Sequence, residues 1–161
     1  MSQALIGTAG FLAAVLWMDL MFDVEAMGHD GTLPDQVLDF IAAYYHHVTT
    51  AAAPMGNLIS LVMLLAVLGA VLQLSQSVLP LWLRAAALVT VLVPTVLALT
   101  YIVPAAVRLG ARADTLEVQS DLARAILSGH VVCLASILVF LTLQILAVQR
   151  LRRSGPRGLP A

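Results

Sequence analysis

The sequence contains no lysine, one cysteine and few charged residues of either sign. Charged residues make up 11% of its 161 residues, against about 25% in an average soluble domain. The lone Cys133 excludes a disulfide scaffold and a C-x-x-C thiol oxidoreductase. The formal net charge is -1, and no basic patch precedes the C-terminal tail. We therefore expect no nucleic acid among the partners of this chain.

Apolar residues dominate what remains, with 61% of the sequence and a mean hydropathy of +0.98. They form four long runs, at about residues 5–22, 55–74, 81–107 and 122–148. A helix of about 20 apolar residues crosses a bilayer. The sequence thus predicts an all-α, polytopic four-helix bundle in a single transmembrane domain over residues 1–153. Residues 154–161 are predicted to be a disordered cytoplasmic tail.

The connection between the first two runs is acidic and contains no arginine. Within it, Pro34 suits the first turn of a helix. From there Val37, Leu38, Ile41 and either Tyr44 or Tyr45 recur at helical spacing. This pattern predicts an amphipathic helix over residues 34–50, at the membrane surface or capping the bundle.

The arginines predict an orientation in the membrane. Four lie at the C-terminal end of the sequence: Arg150, Arg152, Arg153 and Arg157. A fifth, Arg84, lies beside the short link between the second and third runs. The positive-inside rule then places both termini in the cytoplasm and the acidic connection outside. We expect an integral protein of a bacterial inner (plasma) membrane.

Polar residues at membrane depth concentrate in the predicted outer half. Asp19 and Asp23 are four residues apart and share one face of the first helix, and His130 lies near the start of the fourth. An ionisable residue within a span faces the bundle interior by default and marks a functional site. Four further residues with polar side chains fall in the same half: Asn57, Tyr101, Arg108 and Arg124. The sequence predicts a polar pocket that opens outward and is closed below by apolar side chains.

The third run carries a stripe of residues at alternating steps of four and three. Its members are Thr90, Pro94, Leu97, Tyr101, Pro104 and Arg108. Such a spacing predicts one continuous seam that faces the bundle. On this basis Tyr101 and Arg108 are expected to reach the pocket.

Each residue has a candidate role in the pocket. His130 would act as general acid or base, poised by Asp19. Tyr101 would donate a hydrogen bond, while Arg108 or Arg124 would hold an anionic group. Asp23 and Asn57 would contribute to ligand binding. The alternative is structural, with the two aspartates and the two arginines forming charge pairs that seal the outer end.

We expect no cofactor, but the residue types leave two alternatives open. Imidazole and carboxylate groups suit a transition metal, and the candidate ligands are His46, His47, His130 and Asp19. A b-type haem would require His130 and a second axial ligand at the same depth.

Three stretches resemble the anthrone-oxygenase-like family of small four-helix membrane proteins. They read IGTAGFLAAV in the first span, AAYYHHVTTAAAPMGNLISLVMLL before and in the second, and LTYIVPAAVRLG followed by LARAILSGHVVCLASILVFL. The resemblance implies a pocket that admits an aromatic or lipidic substrate, with His130 as an active residue. It also implies that a cofactor-free, oxygenase-like activity is one option.

Three functions follow as expectations. The first is a small integral membrane protein whose outer pocket takes a hydrophobic or aromatic ligand, with enzymatic activity left open. The second is a structural or helper subunit that packs against a membrane-protein partner or a second copy. Its contact seam would contain Gly129, Cys133 and Ser136, or Gly10 and Ala14. The third is a metal- or haem-binding redox protein.

Overall fold

The structure is a computed structural model that describes residues 2–51 and 53–154, so the predicted tail beyond Ser154 lies outside the described residues. This part of the chain forms six α-helices and contains no strand. The helices are α1 (Ser2–Asp23), α2 (Asp35–Thr50), α3 (Ala53–Gln73), α4 (Leu81–Leu97), α5 (Val103–Ala111) and α6 (Leu116–Ser154). A 3-10 turn (Val24–Ala26) follows α1, and a π-helical turn (Ala98–Ile102) joins α4 to α5.

Four helical stretches are long and apolar enough to cross a membrane, as predicted. They cover Ser2–Ala26, Ala53–Gln73, Leu81–Ala111 and Leu116–Arg153. Between 11% and 33% of each span is buried inside the protein, and the remaining residues are half-buried or exposed. On α3 alone, the exposed ones include Leu58, Leu61, Leu64, Leu65, Leu68, Val71 and Leu72. An apolar surface of this extent is unfavourable in water and suits contact with lipid.

The long helix α6 is the centre of the bundle. It packs most extensively against α1 and α4, while α3 lies at the side against α1 and α4. One apolar core cluster joins α1, α3, α4 and the C-terminal half of α6. A second cluster joins α2, the π-helical turn, α5 and the N-terminal half of α6. The protein therefore has two core layers stacked along α6.

The π-helical turn changes which residues of the third span face the bundle. The predicted seam is correct through Pro94, which is buried, and Leu97, which is half-buried. Beyond the turn the prediction is wrong, because the expected seam residues are exposed: Tyr101, Pro104 and Arg108. The buried residues are each one place later in the chain: Ile102, Ala105 and Leu109.

The cause of this shift is the extra residue in the turn. A π-helical turn bonds residue i to i+5, so the residues after it are rotated relative to a regular α-helix. The ring of Pro104 would clash with the Thr100 carbonyl in a regular α-helix, and it has no N–H to bond that carbonyl. A wider turn just before Pro104 relieves the clash.

The connection before α2 is held against α6 by hydrogen bonds. Gly28 and Gly31 have positive φ angles of 77° and 76°, so the chain turns tightly here. The buried Leu33 donates its N–H to Ser120 Oγ at 2.9 Å. The Arg124 guanidinium donates to the carbonyls of His29, at 3.0 Å, and Gly31.

Helix α2 docks onto α5 at very short range. A Cβ atom added to Gly110 would lie 2.7 Å from the backbone nitrogen of His46, so only glycine fits between the two backbones. Beyond this contact, Arg112 bonds to Asp39 at 2.6 Å and to Asp35 at 3.0 Å. These contacts fix the position of α2 relative to the bundle.

A buried amide pair joins α3 to α6 near the chain termini. Gln73 Nε2 donates to Gln144 Oε1, and Gln144 Nε2 donates to Gln73 Oε1, both at 3.1 Å. Gln73 also donates to the Ser2 hydroxyl at 3.4 Å. All three side chains are buried, so the pair satisfies polar atoms that would otherwise be costly in an apolar core.

Candidate functional site

A buried histidine–aspartate pair joins the C-terminal end of α1 to the N-terminal half of α6. His130 Nδ1 is 2.6 Å from Asp23 Oδ2, and their exposed fractions are 6% and 1%. An ionised carboxylate can only accept hydrogen bonds. With Asp23 ionised, Nδ1 therefore carries the proton and donates it, which leaves the Nε2 lone pair of the neutral ring free to accept a proton.

Asp19 faces the other nitrogen of the same ring. Its Oδ2 atom lies 4.0 Å from His130 Nε2, which is too long for a hydrogen bond but close enough for a strong electrostatic interaction. Asp19 lies one helical turn before Asp23, as the spacing of four predicts. His130 is therefore placed between two carboxylates of α1, and its closer partner is Asp23 rather than the expected Asp19.

Two adjacent tyrosines of α2 complete the cluster. Tyr45 Oη donates to Asp23 Oδ1 at 2.5 Å, and Tyr44 Oη donates to Asp19 Oδ1. Burial raises the pKa of both tyrosines above its ordinary range, and the bonded carboxylates raise it further. Both phenols therefore stay protonated and act as donors.

The ring of Tyr44 also belongs to an aromatic stack at the edge of the cluster. Phe22 lies parallel to Tyr44, with ring centroids 3.9 Å apart and an angle of 6° between the planes. Phe40 continues the stack on the other side of Phe22, at 5.7 Å and 26°. Half of Phe40 is exposed, so the stack extends from the molecular surface to the hydroxyl that binds Asp19.

These five residues form an acid–base unit, which we call the His130 cluster: Asp19, Asp23, Tyr44, Tyr45 and His130. The orienting aspartate on Nδ1 fixes the tautomer and the ring position of the histidine, as in general-base dyads. The second aspartate would stabilise the imidazolium that forms when Nε2 takes up a proton. Tyr45 and Tyr44 hold the two carboxylates in place.

The His130 cluster is packed rather than open. Two shallow depressions in the described part of the chain lie elsewhere, and neither is lined by a cluster residue. The nearer one has Glu25, Gln36, Val37 and Phe40 at its wall. The expected outward polar pocket is therefore closed in this conformation, with α2 covering it.

The two arginines expected in the pocket have other partners. Arg108 pairs with Asp114 at 3.1 Å, because the π-helical turn rotates it out of the bundle. Arg124 donates to carbonyls of the loop before α2. Neither guanidinium contacts Asp19 or Asp23 within residues 2–51 and 53–154, so the predicted charge seal between these four residues is wrong.

Two other predicted ligand-binding residues also lie away from the cluster. The Tyr101 side chain is 46% exposed on the surface of the third span, for the same reason as Arg108. Asn57 is exposed near the start of α3. The structure thus brings together three of the predicted site residues: Asp19, Asp23 and His130.

The candidate metal ligands do not converge. His46 and His47 are exposed on α2, and only Asp19 and His130 of the proposed set lie together. Among the residues that the structure describes, no group of three or more His, Cys, Asp or Glu side chains could hold a metal ion. Both ring nitrogens of His130 face carboxylates, so the residues present do not fit axial ligation of a haem.

Tyr44 and Tyr45 belong to the His130 cluster but were not among the predicted site residues. One signal was available, since Leu38, Ile41 and Tyr45 lie on one apolar face of α2. This face is buried, and Tyr44 at its edge is half-buried against the bundle. The partner of that face could not be deduced without the contact at Gly110.

Comparison of the chain with protein-family models, with curated proteins and with solved structures finds no match. The resemblance to the anthrone-oxygenase-like family stays a prediction. Function is therefore argued from the geometry of the His130 cluster.

Proposed function

We propose that this chain is a small integral membrane protein in which the His130 cluster transfers a proton to or from a hydrophobic or aromatic ligand. His130 Nε2 acts as the general base. Asp23 orients the ring, and Asp19 stabilises the charge that forms on it. The proposed chemistry is limited to the proton transfer that these side chains can perform, and it requires no cofactor.

The proposal includes an orientation in a bacterial inner membrane. Both termini and the link beside Arg84 lie in the cytoplasm, and α2 lies on the outer side. The arginine distribution supports this arrangement. So does the separation between His130, in the N-terminal half of α6, and the arginines at the C-terminal end of that helix.

The observation that carries the proposal is the placement of one imidazole between two carboxylates. A purely structural histidine needs one hydrogen-bond partner, whereas here Asp23 binds Nδ1 at 2.6 Å and Asp19 faces Nε2 at 4.0 Å. Each carboxylate would lie beside the positive charge that the ring acquires when Nε2 takes up a proton. The arrangement therefore stabilises the state that a general base reaches after it has taken up a proton.

Access to Nε2 is proposed to come from the side of Asp19 and Tyr44. The side chain of Asp19 is 17% exposed, whereas that of Asp23 is almost fully buried. Tyr44 and the Phe22–Phe40 stack form the boundary on this side. A small outward movement of α2 would expose the ring of His130 next to aromatic side chains.

The test compares two histidine variants, His130→Gln and His46→Gln. Wild type and both variants are expressed in membranes, and hydrophobic extracts are compared by mass spectrometry for a compound that the wild type consumes. General acid–base catalysis contributes about 10²–10⁴-fold to a rate. His130→Gln should lose turnover by at least about 100-fold, and His46→Gln, which changes an exposed side chain of α2, should retain it.

A thermal unfolding measurement on the purified proteins distinguishes catalysis from packing. If His130→Gln lowers the melting temperature and yet leaves turnover intact, the His130 cluster is a structural element and the proposal is wrong. The same conclusion holds if both histidine variants lose turnover equally.

A second candidate function is a helper subunit that packs laterally in the membrane. The small residues Gly7, Gly10 and Ala14 lie on one exposed face of α1, and a Cβ added at either glycine would meet nothing within 4 Å. Small residues allow close approach of another helix in lipid. The other predicted seam is used within the chain, because Cys133 is buried and Gly129 packs against Ile102.

Cross-linking in native membranes tests this alternative. A photoreactive group placed at Gly10 should capture one stoichiometric protein partner or a second copy. If it captures only lipid, the α1 face has no protein partner and the alternative fails.

A further inference from the structure

A second polar feature lies at the opposite end of the molecule from the His130 cluster. It is a shallow depression of about 320 Å³ between the start of α1 and the end of α6. Its lining consists of Ser2, Gln3, Val148, Leu151 and Arg152. No residue of the proposed reaction centre takes part, so this feature can be tested independently of the proposed function.

The lining combines three kinds of group. Arg152 supplies an exposed guanidinium, which suits bidentate binding of a phosphate. Ser2 and Gln3 supply a hydroxyl and an amide, both of which can donate hydrogen bonds. Val148 and Leu151 supply a half-buried apolar wall. A ligand that satisfies all three groups carries a phosphate on a hydrocarbon chain.

The surroundings of the depression favour an anion. The sequence has no Asp or Glu between residues 122 and 154, nor between residues 53 and 113. Arg153 is exposed on the same helix end. Arg150 lies over the ring of Trp82, 5.8 Å from its centroid. Tryptophan and arginine together are typical of the membrane–water interface, where lipid headgroups lie.

We propose that this depression binds the headgroup phosphate of an anionic phospholipid. Arg152 pairs with the phosphate, and Ser2 and Gln3 donate to its oxygen atoms. Val148 and Leu151 contact the first methylene groups of the acyl chain. A free phosphate ion would use the arginine but gain nothing from the apolar wall, so the site should discriminate between the two.

The experiment measures lipid binding by native mass spectrometry of the full chain in a mild detergent. The probes are phosphatidylglycerol, phosphatidylcholine and, as competitor, inorganic phosphate. The decisive variants are Arg152→Gln and Arg153→Gln, since both remove one positive charge from the same helix end but only Arg152 lines the depression. Val148→Trp fills the apolar wall without changing the charge.

The expected result is specific to Arg152. Loss of a charged hydrogen bond should weaken phosphatidylglycerol binding about tenfold in Arg152→Gln. Arg153→Gln should stay within about twofold of the wild type, because Arg153 does not line the depression and its charge acts on the phosphate only through screening solvent. Val148→Trp should also weaken binding, and inorganic phosphate should not displace the lipid.

Three outcomes would overturn the proposal. Equal losses in the two arginine variants would show general charge attraction rather than a site. Equal binding of phosphatidylcholine would show that the anionic headgroup is not recognised. Displacement of the lipid by inorganic phosphate would show a site for free anions. Because both arginines lie at the end of α6, size-exclusion chromatography of each variant is sufficient to check that the fold is kept.

Discussion

Removing the hydroxyl of Tyr45 should destabilise the protein more than removing that of its neighbour Tyr44. Tyr45 is 3% exposed and donates to Asp23, which is 1% exposed. In Tyr45→Phe, the Asp23 oxygen loses a donor that water cannot replace. A hydrogen bond to a charged group contributes about 1.5–3 kcal/mol, and we expect a loss of about 2–3 kcal/mol.

Tyr44→Phe is the matched control for this prediction. It removes the same group from the adjacent residue and keeps the ring that stacks on Phe22. Its acceptor Asp19 has a side chain that is 17% exposed, so water can replace the lost donor. The expected loss is about 0.5–1 kcal/mol.

The single cysteine provides the assay. Cys133 is 2% exposed, so a thiol-reactive fluorophore labels the protein only when it unfolds. A destabilisation of 1 kcal/mol lowers the melting temperature of a chain of this size by about 2–4 °C. Tyr45→Phe should therefore melt about 4–12 °C below the wild type, and Tyr44→Phe about 1–4 °C below it. Equal shifts, or a larger shift for Tyr44→Phe, would refute the reasoning from burial.

Three further predictions use the same assay. Gly110→Ala should lower the free energy of unfolding by about 1–3 kcal/mol, because its Cβ would lie 2.7 Å from the His46 nitrogen. Gly10→Ala, which adds a Cβ in open space, should instead raise it by about 0.5–1 kcal/mol. Equal effects of the two variants would contradict the close approach of α2 and α5. Gln73→Leu should lower the free energy of unfolding by about 1–3 kcal/mol, because it leaves the Gln144 amide without its partner. Replacing both glutamines by Leu should be nearly neutral. A larger loss in the double variant than in Gln73→Leu would contradict this reasoning. The raised pKa of the two α2 tyrosines means that the unfolded chain loses their protons first, above about pH 10. Their contribution to stability is therefore complete below about pH 10 and lost as the pH rises further, and a melting temperature that stays constant from pH 10 to pH 12 would contradict the assigned donors.

The membrane-length helices could be predicted because their signal is local. Four apolar runs of sufficient length determine four helices, and a proline followed by apolar residues at helical spacing marks α2. The meeting of Asp19, Asp23 and His130 also followed from sequence. The two aspartates share a face by their spacing, and antiparallel spans bring the end of the first beside the start of the fourth.

The exposure of Tyr101 and Arg108 could not be predicted from a local signal of this kind. Both sides of the third span are apolar, so the hydrophobic pattern contains no mark of the extra residue in the π-helical turn. A shift of one residue rotates the buried face of α5 by about 100° around the helix axis, which is enough to expose Tyr101 and Arg108. The prolines indicated that the helix is irregular there, but not how far it rotates.

The lengths of α1 and α6 determine how deep the His130 cluster lies. From Ser2 to Asp23, the 22 residues of α1 span about 33 Å, close to the ~30 Å thickness of the hydrocarbon layer. With the start of α1 at the inner boundary of that layer, Asp23 lies at its outer boundary. His130 lies about 36 Å from the C-terminal end of α6, which gives the same depth.

If the His130 cluster performs the proposed proton transfer, a position at this boundary would place two phases within its reach. Protons can be exchanged with the aqueous side, where they are abundant and mobile. A water-insoluble molecule can approach sideways through the lipid without ever dissolving in water. In the proposed mechanism, α2 would not have to admit both reactants by one route, and a small outward movement would only have to connect His130 to these two environments.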